Sequence, residues 1–304
     1  MFMKHSLHSR GRKVLDELPM VEGLEYGGCL GHGHFSHVFQ GTYLGQPVAI
    51  KVIERGSERL IQKEVKILKK LSNTPHIVNL LQVIEEEETL LIFELIQPMS
   101  EDDFFDNMNI SNLRLVLRNL LEGLAAAHSQ NIIHRDIKYE NIMVLQNYSD
   151  VKIIDWGCGC NLTHDMNTHA GSRSGRSPEM LLEYGNYNSA IDIWAVGIFI
   201  IWILRDGDDV PWREENVPKT LVLLSYYFGK NQLLKHAQKY HLQIPNELAS
   251  APEKRKKLLH CFDPNTKHLI SPELIDLLEK LLTLDPEFRP TAVEALQHPF
   301  FTQG

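Results

Sequence analysis

The sequence predicts the α+β fold class, with strands in the first third of the chain and helices in the rest. Short apolar stretches of alternating character lie between residues 24 and 96 and predict strands joined by tight turns. From Ser111 onward, longer segments carry apolar residues at helical spacing. The first is predicted to be a long helix capped by Ser111, and its packed face comprises Leu113, Val116, Leu117, Leu120, Leu121, Leu124 and His128. A chain of 304 residues is long enough for one large domain or two lobes with a substantial core.

The composition predicts a soluble, intracellular protein. Apolar residues make up 43% and charged residues 23% of the chain, as in ordinary globular domains. The net charge of −8 argues against nucleic acid as a direct partner. The four cysteines contain no CxxC pair, which favours a reducing compartment. The longest apolar run, Ile193 to Leu204, is too short to span a bilayer, so it predicts a buried helix and no membrane association.

Residues 1–23 predict a flexible N-terminal arm ahead of the folded domain. Met1 to Lys13 is polar and basic without an apolar core, so it does not resemble a secretory signal. Its cations form a thin cluster for nuclear import, and a solvated tail is the favoured interpretation. These cations are Lys4, Arg10, Arg12 and Lys13.

A glycine-containing hairpin follows the arm and predicts a phosphate-binding loop. Its glycines let backbone N–H groups approach phosphate oxygens, and the valine at its end can cover a flat base. The loop comprises Leu30, Gly31, His32, Gly33, His34, Phe35, Ser36, His37 and Val38. A metal site is the less favoured interpretation, because side chains on a hairpin alternate between its two faces. Its ligands would be Cys29, His32, His34 and His37.

Glu64 is a charge on the otherwise apolar face of the helix predicted to follow the strand of Lys51. The helix predicted for residues 59–71 shares one face among Leu60, Ile61, Glu64, Leu68 and Leu71. A charge on an otherwise apolar face requires a partner, and Lys51 supplies it. Glu58 and the run Glu85 to Glu88 are alternatives. The first lies off the apolar stripe and the second resembles an exposed hairpin turn.

The segment from Ile132 to Gly157 carries the residues best suited to catalysis. Its two short apolar stretches predict strands whose connecting turns hold Asp136, Asn141 and Asp155 close together. Phosphoryl transfer needs such a group, because one Asp accepts the substrate hydroxyl proton while an Asn and an Asp hold Mg²⁺ on the phosphates. Lys138 can neutralise charge that develops on the transferring group. The segment therefore predicts an enzyme.

Two motifs resemble the catalytic and metal-binding loops of the eukaryotic protein kinases: residues 134–141 (HRDIKYEN) and Asp155-Trp156-Gly157. The resemblance covers about residues 24–302 and implies the bilobal protein-kinase fold, with an N-lobe over 24–96 and a C-lobe over 97–302. It implies ATP and Mg²⁺ as cofactors, with Asp136 and Lys138 catalytic and Asn141 and Asp155 as metal ligands. It also implies ATP contacts from the glycine-containing loop and from Ala49, Lys51, Glu64, Glu94 and Ile96.

The resemblance further predicts contacts that hold the large lobe together. By resemblance, the activation segment runs from the end of Asp155-Trp156-Gly157 to residues 170–179. Its final residue, Glu179, is expected to pair with Arg289. Asp192 begins the apolar helix and is expected to hydrogen-bond the backbone of the catalytic loop. His128 is expected to be a packed core residue and not a catalytic one.

Within the kinases, the chain most resembles the cell division control protein 7 family, which triggers the firing of replication origins. The similar stretches are residues 170–179, 190–197 and 228–237. This resemblance implies a nuclear Ser/Thr kinase of the cell cycle and DNA replication, which works with an activating regulatory subunit.

The casein kinase 2 catalytic subunit is the alternative relative. It shares the Asp-Trp-Gly motif, the Gly-x-Gly-x-x-Ser loop and a stretch similar to residues 239–242. Its lysine cluster ahead of the Lys-paired helix is missing, because residues 54–63 carry both signs of charge. The replication kinase is therefore favoured.

Two features depart from the kinase pattern. Tyr139 stands where most kinases have Pro, which changes the stiffness of the loop but removes no functional group. The long inserts usual in the division-control kinases are almost absent. Contacts with an activating subunit that depend on such inserts are therefore in doubt.

Both families phosphorylate Ser or Thr near acidic residues, so protein substrates of this kind are the expected partners. Arg173 and Arg176, with His169, line the activation segment and can hold a carboxylate or phosphate of the substrate. Pairing of Arg173 within the chain is the alternative. A kinase-shaped scaffold without activity is disfavoured, because Lys51 and both catalytic aspartates are present. The sequence leaves the phosphorylation of Thr168, Ser172 and Ser174 open.

Overall fold

The computed structural model describes residues 18–32, 36–53, 58–85 and 88–302, which form the two-lobed α+β fold that the sequence predicts. The small lobe contains a five-stranded antiparallel sheet with strand order β1-β2-β3-β5-β4. Its strands are β1 (Leu24–His32), β2 (Ser36–Tyr43), β3 (Gln46–Ile53), β4 (Leu80–Glu85) and β5 (Thr89–Glu94). Three predicted nucleotide contacts lie outside the described residues: Gly33, His34 and Phe35.

Helix α1 (Glu58–Lys70) joins β3 to β4 and buries Ile61, Glu64, Ile67 and Leu68. The prediction that Leu60 shares this packed face is wrong, because its side chain is 55% exposed. All three residues of the first turn are exposed, so packing begins only at Ile61. Helical spacing alone does not show where along a helix its neighbours begin.

The described end of the predicted arm contacts the sheet. The Tyr26 hydroxyl donates a hydrogen bond to the Pro19 carbonyl at 3.1 Å. Leu18 and Val21 pack against the small apolar cluster around Phe39. Residues 1–17 of the arm lie outside the described residues.

The large lobe is mainly helical, as expected. Its helices are α2 (Glu101–Asp106), α3 (Ile110–Ser129), α4 (Pro178–Leu181), α5 (Ala190–Leu204), α6 (Val217–Phe228), α7 (Lys230–Lys239), α8 (Asn246–Ser250), α9 (Pro272–Leu281), α10 (Ala292–Leu296) and α11 (Pro299–Thr302). Four short strands pair as β6 (Ile132–Ile133) with β9 (Cys160–Asn161) and β7 (Ile142–Val144) with β8 (Val151–Ile153). Single turns of 3₁₀-helix occur between them, among them Tyr139–Asn141 and Trp156–Cys158.

Helices α3 and α5 form the centre of the large lobe. In α5 every residue except Trp202 is buried, which confirms the predicted buried helix. The leucine and valine positions predicted for the packed face of α3 are also buried. The prediction that Ser111 caps α3 is wrong, because the side chain of Asn109 accepts hydrogen bonds from the backbone N–H groups of Ser111 and Asn112. No helix of the described residues combines the length and apolarity needed to cross a membrane.

Candidate active site

The loop between β6 and β7 carries the catalytic motif, and Asp192 holds its backbone in place. The Asp192 carboxylate accepts hydrogen bonds from the backbone N–H groups of His134 and Arg135, both at 2.8 Å. His128 Nε2 lies 2.9 Å from the same carboxylate. Burial disfavours the ionised carboxylate, but the hydrogen bonds and charges of His128 and His134 outweigh it and lower the pKa of Asp192. The expected contact with the loop is present, and His128 supports it.

Asp136 lies within the loop with its carboxylate in a defined orientation. Asn141 Nδ2 donates to the Asp136 backbone carbonyl at 2.8 Å and to Oδ2 at 3.1 Å. Lys138 Nζ lies 3.1 Å from the same Oδ2. The turn Tyr139–Asn141 brings these three side chains together, since it reverses the chain directly after Lys138. The structure therefore places the predicted base, cation and amide in one cluster.

Ser172 completes this cluster from the activation segment. Its backbone N–H donates to Asp136 Oδ1 at 2.6 Å, and its hydroxyl accepts a hydrogen bond from Lys138 Nζ at 3.0 Å. Burial opposes the charge on Lys138, but the Asp136 carboxylate outweighs it and raises the pKa of Lys138 above its usual value. The lysine is therefore positively charged at neutral pH. Sequence reasoning raised Ser172 only as a phosphorylation site and missed these contacts.

Asp155 follows β8 and begins the turn that the Asp-Trp-Gly motif forms. Its φ of 55° lies in the left-handed region, an uncommon conformation for a residue other than glycine. Trp156 is completely buried behind it, where its indole packs edge-on against His134 with ring centroids 4.6 Å apart. The buried ring anchors the turn, and the Asp155 side chain remains 50% exposed.

Lys51 joins the two lobes at this point. Its Nζ lies 2.7 Å from Glu64 Oε1 and 3.1 Å from Asp155 Oδ1, so the ion pair expected from the sequence is present. Burial opposes the charge on Lys51, but the carboxylates of Glu64 and Asp155 outweigh it and raise the pKa of the lysine. Burial likewise disfavours the Asp155 carboxylate, and Lys51 reverses this effect and lowers its pKa. Both groups are charged at neutral pH.

The donor set fits a magnesium ion. Asn141 uses its Nδ2 for Asp136, so its amide oxygen is left to serve as a metal ligand. Asp155 contacts Lys51 through Oδ1, while half of its side chain remains exposed. One carboxylate and one amide oxygen, with phosphate oxygens and water, form the coordination that Mg²⁺ prefers. Asn141 and Asp155 are thus the residues that would hold it.

Several predicted nucleotide contacts are neighbours on adjacent strands of the small-lobe sheet. Gly31, Val38 and Lys51 are cross-strand neighbours on β1, β2 and β3. Ala49 projects to the same face as Lys51, two residues away, and pairs with Phe93 on β5. The other described members of the loop are Leu30, which is 42% exposed, His32, Ser36 and His37.

Glu94 and Ile96 lie where β5 leads into the large lobe. The Glu94 carboxylate accepts hydrogen bonds from Asn79 N at 2.8 Å and from Lys152 Nζ at 3.3 Å. Because its side chain is occupied by these partners, only the backbone of Glu94 can contact the adenine base. Ile96 packs against the main apolar core.

The alternative metal site at the hairpin lacks a complete ligand set in the described part of the chain. No group of three or more His, Cys, Asp or Glu side chains that could hold a metal ion occurs among those residues. His34, one of the four ligands considered, lies outside them.

Arg135 and Tyr187 form a second set of contacts that sequence reasoning missed. The Arg135 guanidinium donates to the Cys158 carbonyl at 2.6 Å and to the Tyr187 hydroxyl at 3.0 Å. The Tyr187 hydroxyl donates in turn to the Asn167 carbonyl at 2.7 Å. Three segments are thereby tied together, namely the catalytic loop, the Asp-Trp-Gly turn and the activation segment. Nothing in the local pattern around Tyr187 indicates this contact.

The two arginines predicted to recognise substrate lie on the activation segment, each partly engaged within the chain. Arg173 is exposed and donates from Nη1 to the Glu215 carbonyl at 2.7 Å. Arg176 donates from Nη2 to the carbonyls of His169 and Gly171. Because each guanidinium has five N–H donors, both keep donors for a second partner.

Glu179 and Arg289 form the expected fixed pair. Both side chains are completely buried, and the two carboxylate oxygens accept hydrogen bonds from Nη1 and Nη2 at 2.8 and 3.2 Å. Arg289 also donates to the backbone carbonyls of Ala190 and Leu284. The end of the activation segment is thereby held to the base of the large lobe.

A bilobal fold with a paired lysine in one lobe and a base, a cation and metal-type ligands in the other defines a phosphotransferase of the kinase class. The protein kinase domain family model matches residues 24–301. The chain therefore belongs to the protein kinase domain family. Members of this family phosphorylate proteins with ATP as the phosphoryl donor, usually with Mg²⁺.

Proposed function

We propose that this chain is a Ser/Thr protein kinase that transfers the γ-phosphate of ATP to hydroxyl groups near acidic residues of protein substrates. The observation that carries the proposal is the cluster of Asp136, Lys138, Asn141 and Ser172. The backbone of Ser172 lies directly beside the Asp136 carboxylate. Because the activation segment lies so close to this carboxylate, we expect the site to accept the short side chains of Ser and Thr in preference to the longer side chain of Tyr.

Each residue of the cluster contributes one step of the transfer. Asp136 accepts a hydrogen bond and then the proton from the acceptor hydroxyl, whose oxygen attacks the γ-phosphorus of ATP. The bond from this phosphorus to the bridging oxygen breaks, and ADP leaves. Asn141 fixes the orientation of Asp136 through its two donated hydrogen bonds. Lys138, which is protonated, stabilises negative charge that develops on the transferring group.

The small lobe supplies the lysine that would contact the phosphates. Lys51 is held in position by Glu64, so its ammonium is directed towards Asp155 and the cleft without loss of its charge. Mg²⁺ held by Asn141 and Asp155 would neutralise charge on the phosphate oxygens. The backbone N–H groups near Gly31 and the side chains of Val38 and Ala49 complete the nucleotide side.

The preference for acidic substrates rests on Arg173 and Arg176. Both lie a few residues from Ser172, and their unused N–H donors suit a substrate carboxylate. A cellular function in replication initiation, a nuclear location and an activating subunit rest on the sequence resemblance to the division-control kinases, and we retain them as proposals on that basis.

A second candidate is a constitutively active acidophilic kinase similar to casein kinase 2. The observation that favours it is the closed set of contacts within the single chain. Lys51 already contacts Glu64 and Asp155, and Arg135 is already satisfied by Cys158 and Tyr187. These contacts require neither a partner nor a phosphate group.

Phosphate transfer by the purified chain alone tests the proposal. The substrates are a peptide with Ser before acidic residues, its Ser→Tyr version and a version with Lys in place of the acidic residues. We expect transfer to the first peptide only. Asp136→Ala and Lys51→Met should each lower turnover at least about a hundredfold while the circular dichroism spectrum stays unchanged.

The outcomes separate the candidates. Activity of the chain alone supports the constitutive enzyme, and silence relieved by a co-purified subunit supports the replication kinase. Near-normal turnover in Asp136→Ala or Lys51→Met contradicts the proposed mechanism. Silence under every condition with ATP still bound identifies a scaffold.

A further inference from the structure

A strongly basic loop lies outside the active site and has no part in the proposed mechanism. Residues 252–257, which connect α8 to the next 3₁₀ turn, are all exposed. Four consecutive residues in this loop are cationic: Lys254, Arg255, Lys256 and Lys257. The chain as a whole carries a net charge of −8, so this loop is a local reversal of the overall charge.

The loop is held against α6 and its C-terminal end. The backbone N–H of Lys256 donates to the Tyr226 carbonyl at 2.7 Å. The ammonium groups of Lys254 and Lys256 lie 5.3 and 5.6 Å from the ring centroids of Tyr226 and Tyr227, within the range of cation–π attraction. These contacts fix where the charges are presented.

Gly229 provides the space for the remaining arginine. Its φ of 95° favours glycine, and the Arg255 guanidinium occupies the position that a Cβ atom would take. The arginine therefore lies flat against the backbone between α6 and α7. A basic loop with a fixed shape loses less conformational entropy when it binds an anion than a free tail does.

None of the four cations of this loop forms an ion pair with a carboxylate among the described residues. Other surface cations do have such partners; Lys239, for example, lies within 2.8 Å of both Asp285 and Glu287. Four adjacent like charges repel one another, and an anion from outside the chain would relieve that repulsion.

A continuous path of contacts leads from this loop to the substrate side of the active site. Trp212 lines a small cavity together with Arg173, Arg176 and Arg213. Its ring packs against Tyr227 with centroids 5.3 Å apart, and Tyr227 lies under Lys256. Arg173 contacts the Glu215 carbonyl just before α6, and the basic loop contacts the Tyr226 carbonyl near the end of α6. The two groups of cations therefore lie towards opposite ends of this helix, which is about 18 Å long for 12 residues.

We propose that Lys254–Lys257, with Tyr226 and Tyr227, form a second docking site that binds an acidic Asp/Glu segment of the protein substrate. The proposal rests on the proposed acidophilic kinase function and extends it. An extended peptide advances about 3.3 Å per residue, so about six residues span the length of α6. The docking segment is thus separated from the residues near Arg173 by a spacer of about this length. A protein kinase acts on polypeptides, so an acidic segment of the substrate is the anion that catalysis itself brings to this surface.

Binding of a peptide that cannot be phosphorylated tests the site independently of activity. The probe is a fluorescein-labelled peptide with Ala at the acceptor position, two proximal Asp residues, a Gly/Ser spacer of about six residues and a block of six Asp. A matched peptide has Asn in place of the distal block. Fluorescence anisotropy compares wild type, the loop variant K254Q/R255Q/K256Q/K257Q and a control that removes four exposed lysines elsewhere, K66Q/K69Q/K235Q/K267Q.

The distal block should tighten binding to wild type and to the control about tenfold, and the loop variant should lose this gain. The gain should also shrink as NaCl is raised from about 50 to 300 mM. With the Ser version of the peptides, the same gain should appear as a lower KM at unchanged kcat. An equal gain in all three proteins would overturn the proposal, because net charge alone would then explain it.

Three further outcomes test the kind of partner and separate the docking site from the proposed kinase activity. If a single-stranded oligonucleotide binds the loop more tightly than the acidic peptide, the assignment of a peptide partner is wrong. If the distal block binds as expected but no phosphate is transferred to the Ser version, the docking site stands and the proposed activity fails. If transfer to the short peptide is normal and the distal block has no effect, the activity stands and the docking site fails.

Discussion

The ring of Tyr139 stacks on the ring of Trp202, with 4.0 Å between the centroids and 21° between the planes. Tyr139 lies between Lys138 and Asn141, and Trp202 lies near the end of α5. Burial, with the carboxylates of nearby acidic residues, raises the pKa of Tyr139 to about 12. The tyrosine that replaces the usual proline therefore fixes the catalytic turn by an aromatic contact, where proline would do so by its restricted backbone.

Loss of the Tyr139 ring should lower both stability and turnover. We expect Tyr139→Ala to reduce the free energy of unfolding by about 1–3 kcal/mol, since an aromatic stack and its buried area are removed. kcat should fall more than KM rises, because Lys138 and Asn141 lose their fixed positions. Tyr139→Phe keeps the ring and should behave like wild type. Urea unfolding and steady-state kinetics measure both effects, and an unchanged kcat in Tyr139→Ala would show that the stack does not position the loop.

The Tyr187 hydroxyl should be needed for full activity. Tyr187→Phe removes a hydrogen-bond partner of Arg135 and the link to Asn167 while the ring remains in the core. We expect kcat to fall about tenfold, as for the loss of one hydrogen bond to a charged group. The matched control is Tyr184→Phe, whose ring packs on Tyr240 outside this set of contacts. Equal rates for the two variants would exclude a positioning function for the Tyr187 hydroxyl.

Breaking the Glu179–Arg289 pair should destabilise the large lobe. Arg289→Met leaves the buried Glu179 carboxylate without its partner, and we expect a loss of about 3–5 kcal/mol in the free energy of unfolding. The double variant Glu179→Gln/Arg289→Met should lose less than the sum of the two single variants. Glu287→Gln, which disrupts an exposed pair with Lys239, should have a much smaller effect. Urea titration of the four variants forms the comparison, and additive losses would contradict a direct interaction between the buried partners.

His236 should make stability fall in mild acid. It is buried, neither ring nitrogen has a hydrogen-bond partner among the described residues, and its ring packs against Tyr240. Burial lowers its pKa below the ordinary 6.5, although the carboxylates of Glu179 and Asp285 oppose the shift. The unfolded chain therefore binds the proton more tightly. The stabilising contribution of neutral His236 is fully present above pH 6.5 and is lost as the pH falls towards its lower folded-state pKa.

Urea unfolding at several values between pH 8 and pH 5 measures this effect. Relative to His236→Phe, wild type should lose stability below pH 6.5 with a slope that approaches about 1.4 kcal/mol per pH unit, the value for uptake of one proton. The exposed His260 provides a control, since His260→Gln should retain the wild-type slope. The same slope in His236→Phe would assign the acid sensitivity to another group.

The sequence predicts most of the residues that lie together in the candidate site, because their grouping is local. Asp136, Lys138 and Asn141 fall within six residues, and a single turn brings them together. The kinase resemblance implies that Lys51 pairs with a Glu of the following helix. Helical periodicity and the requirement that a buried charge be compensated then select Glu64. Contacts of these two kinds can be predicted from a single sequence, because they involve residues that are close along the chain or that recur at a regular spacing.

The contacts of Ser172 and Tyr187 could not be predicted in the same way. Ser172 meets Asp136 across 36 residues, and Tyr187 meets Arg135 across 52, through an irregular segment whose course follows no periodicity. The cap of α3 was misplaced because Asn109 and Ser111 both suit that position, and only the course of the backbone decides between them. Leu60 has the spacing of the packed face of α1, but the first turn of this helix extends beyond the residues that pack against it. Its side chain is therefore exposed, contrary to the prediction.

The small lobe and the large lobe meet in the active site at the 3.1 Å contact between Lys51 and Asp155. Lys51 and Glu64 belong to the small lobe. The loop that carries Asp136 is instead held by hydrogen bonds to Asp192, which is buried in the large lobe. Opening of the cleft would release the phosphates without disturbing the proton acceptor. The catalytic loop can therefore keep its geometry while the nucleotide is exchanged, because the contacts that hold it lie within one lobe.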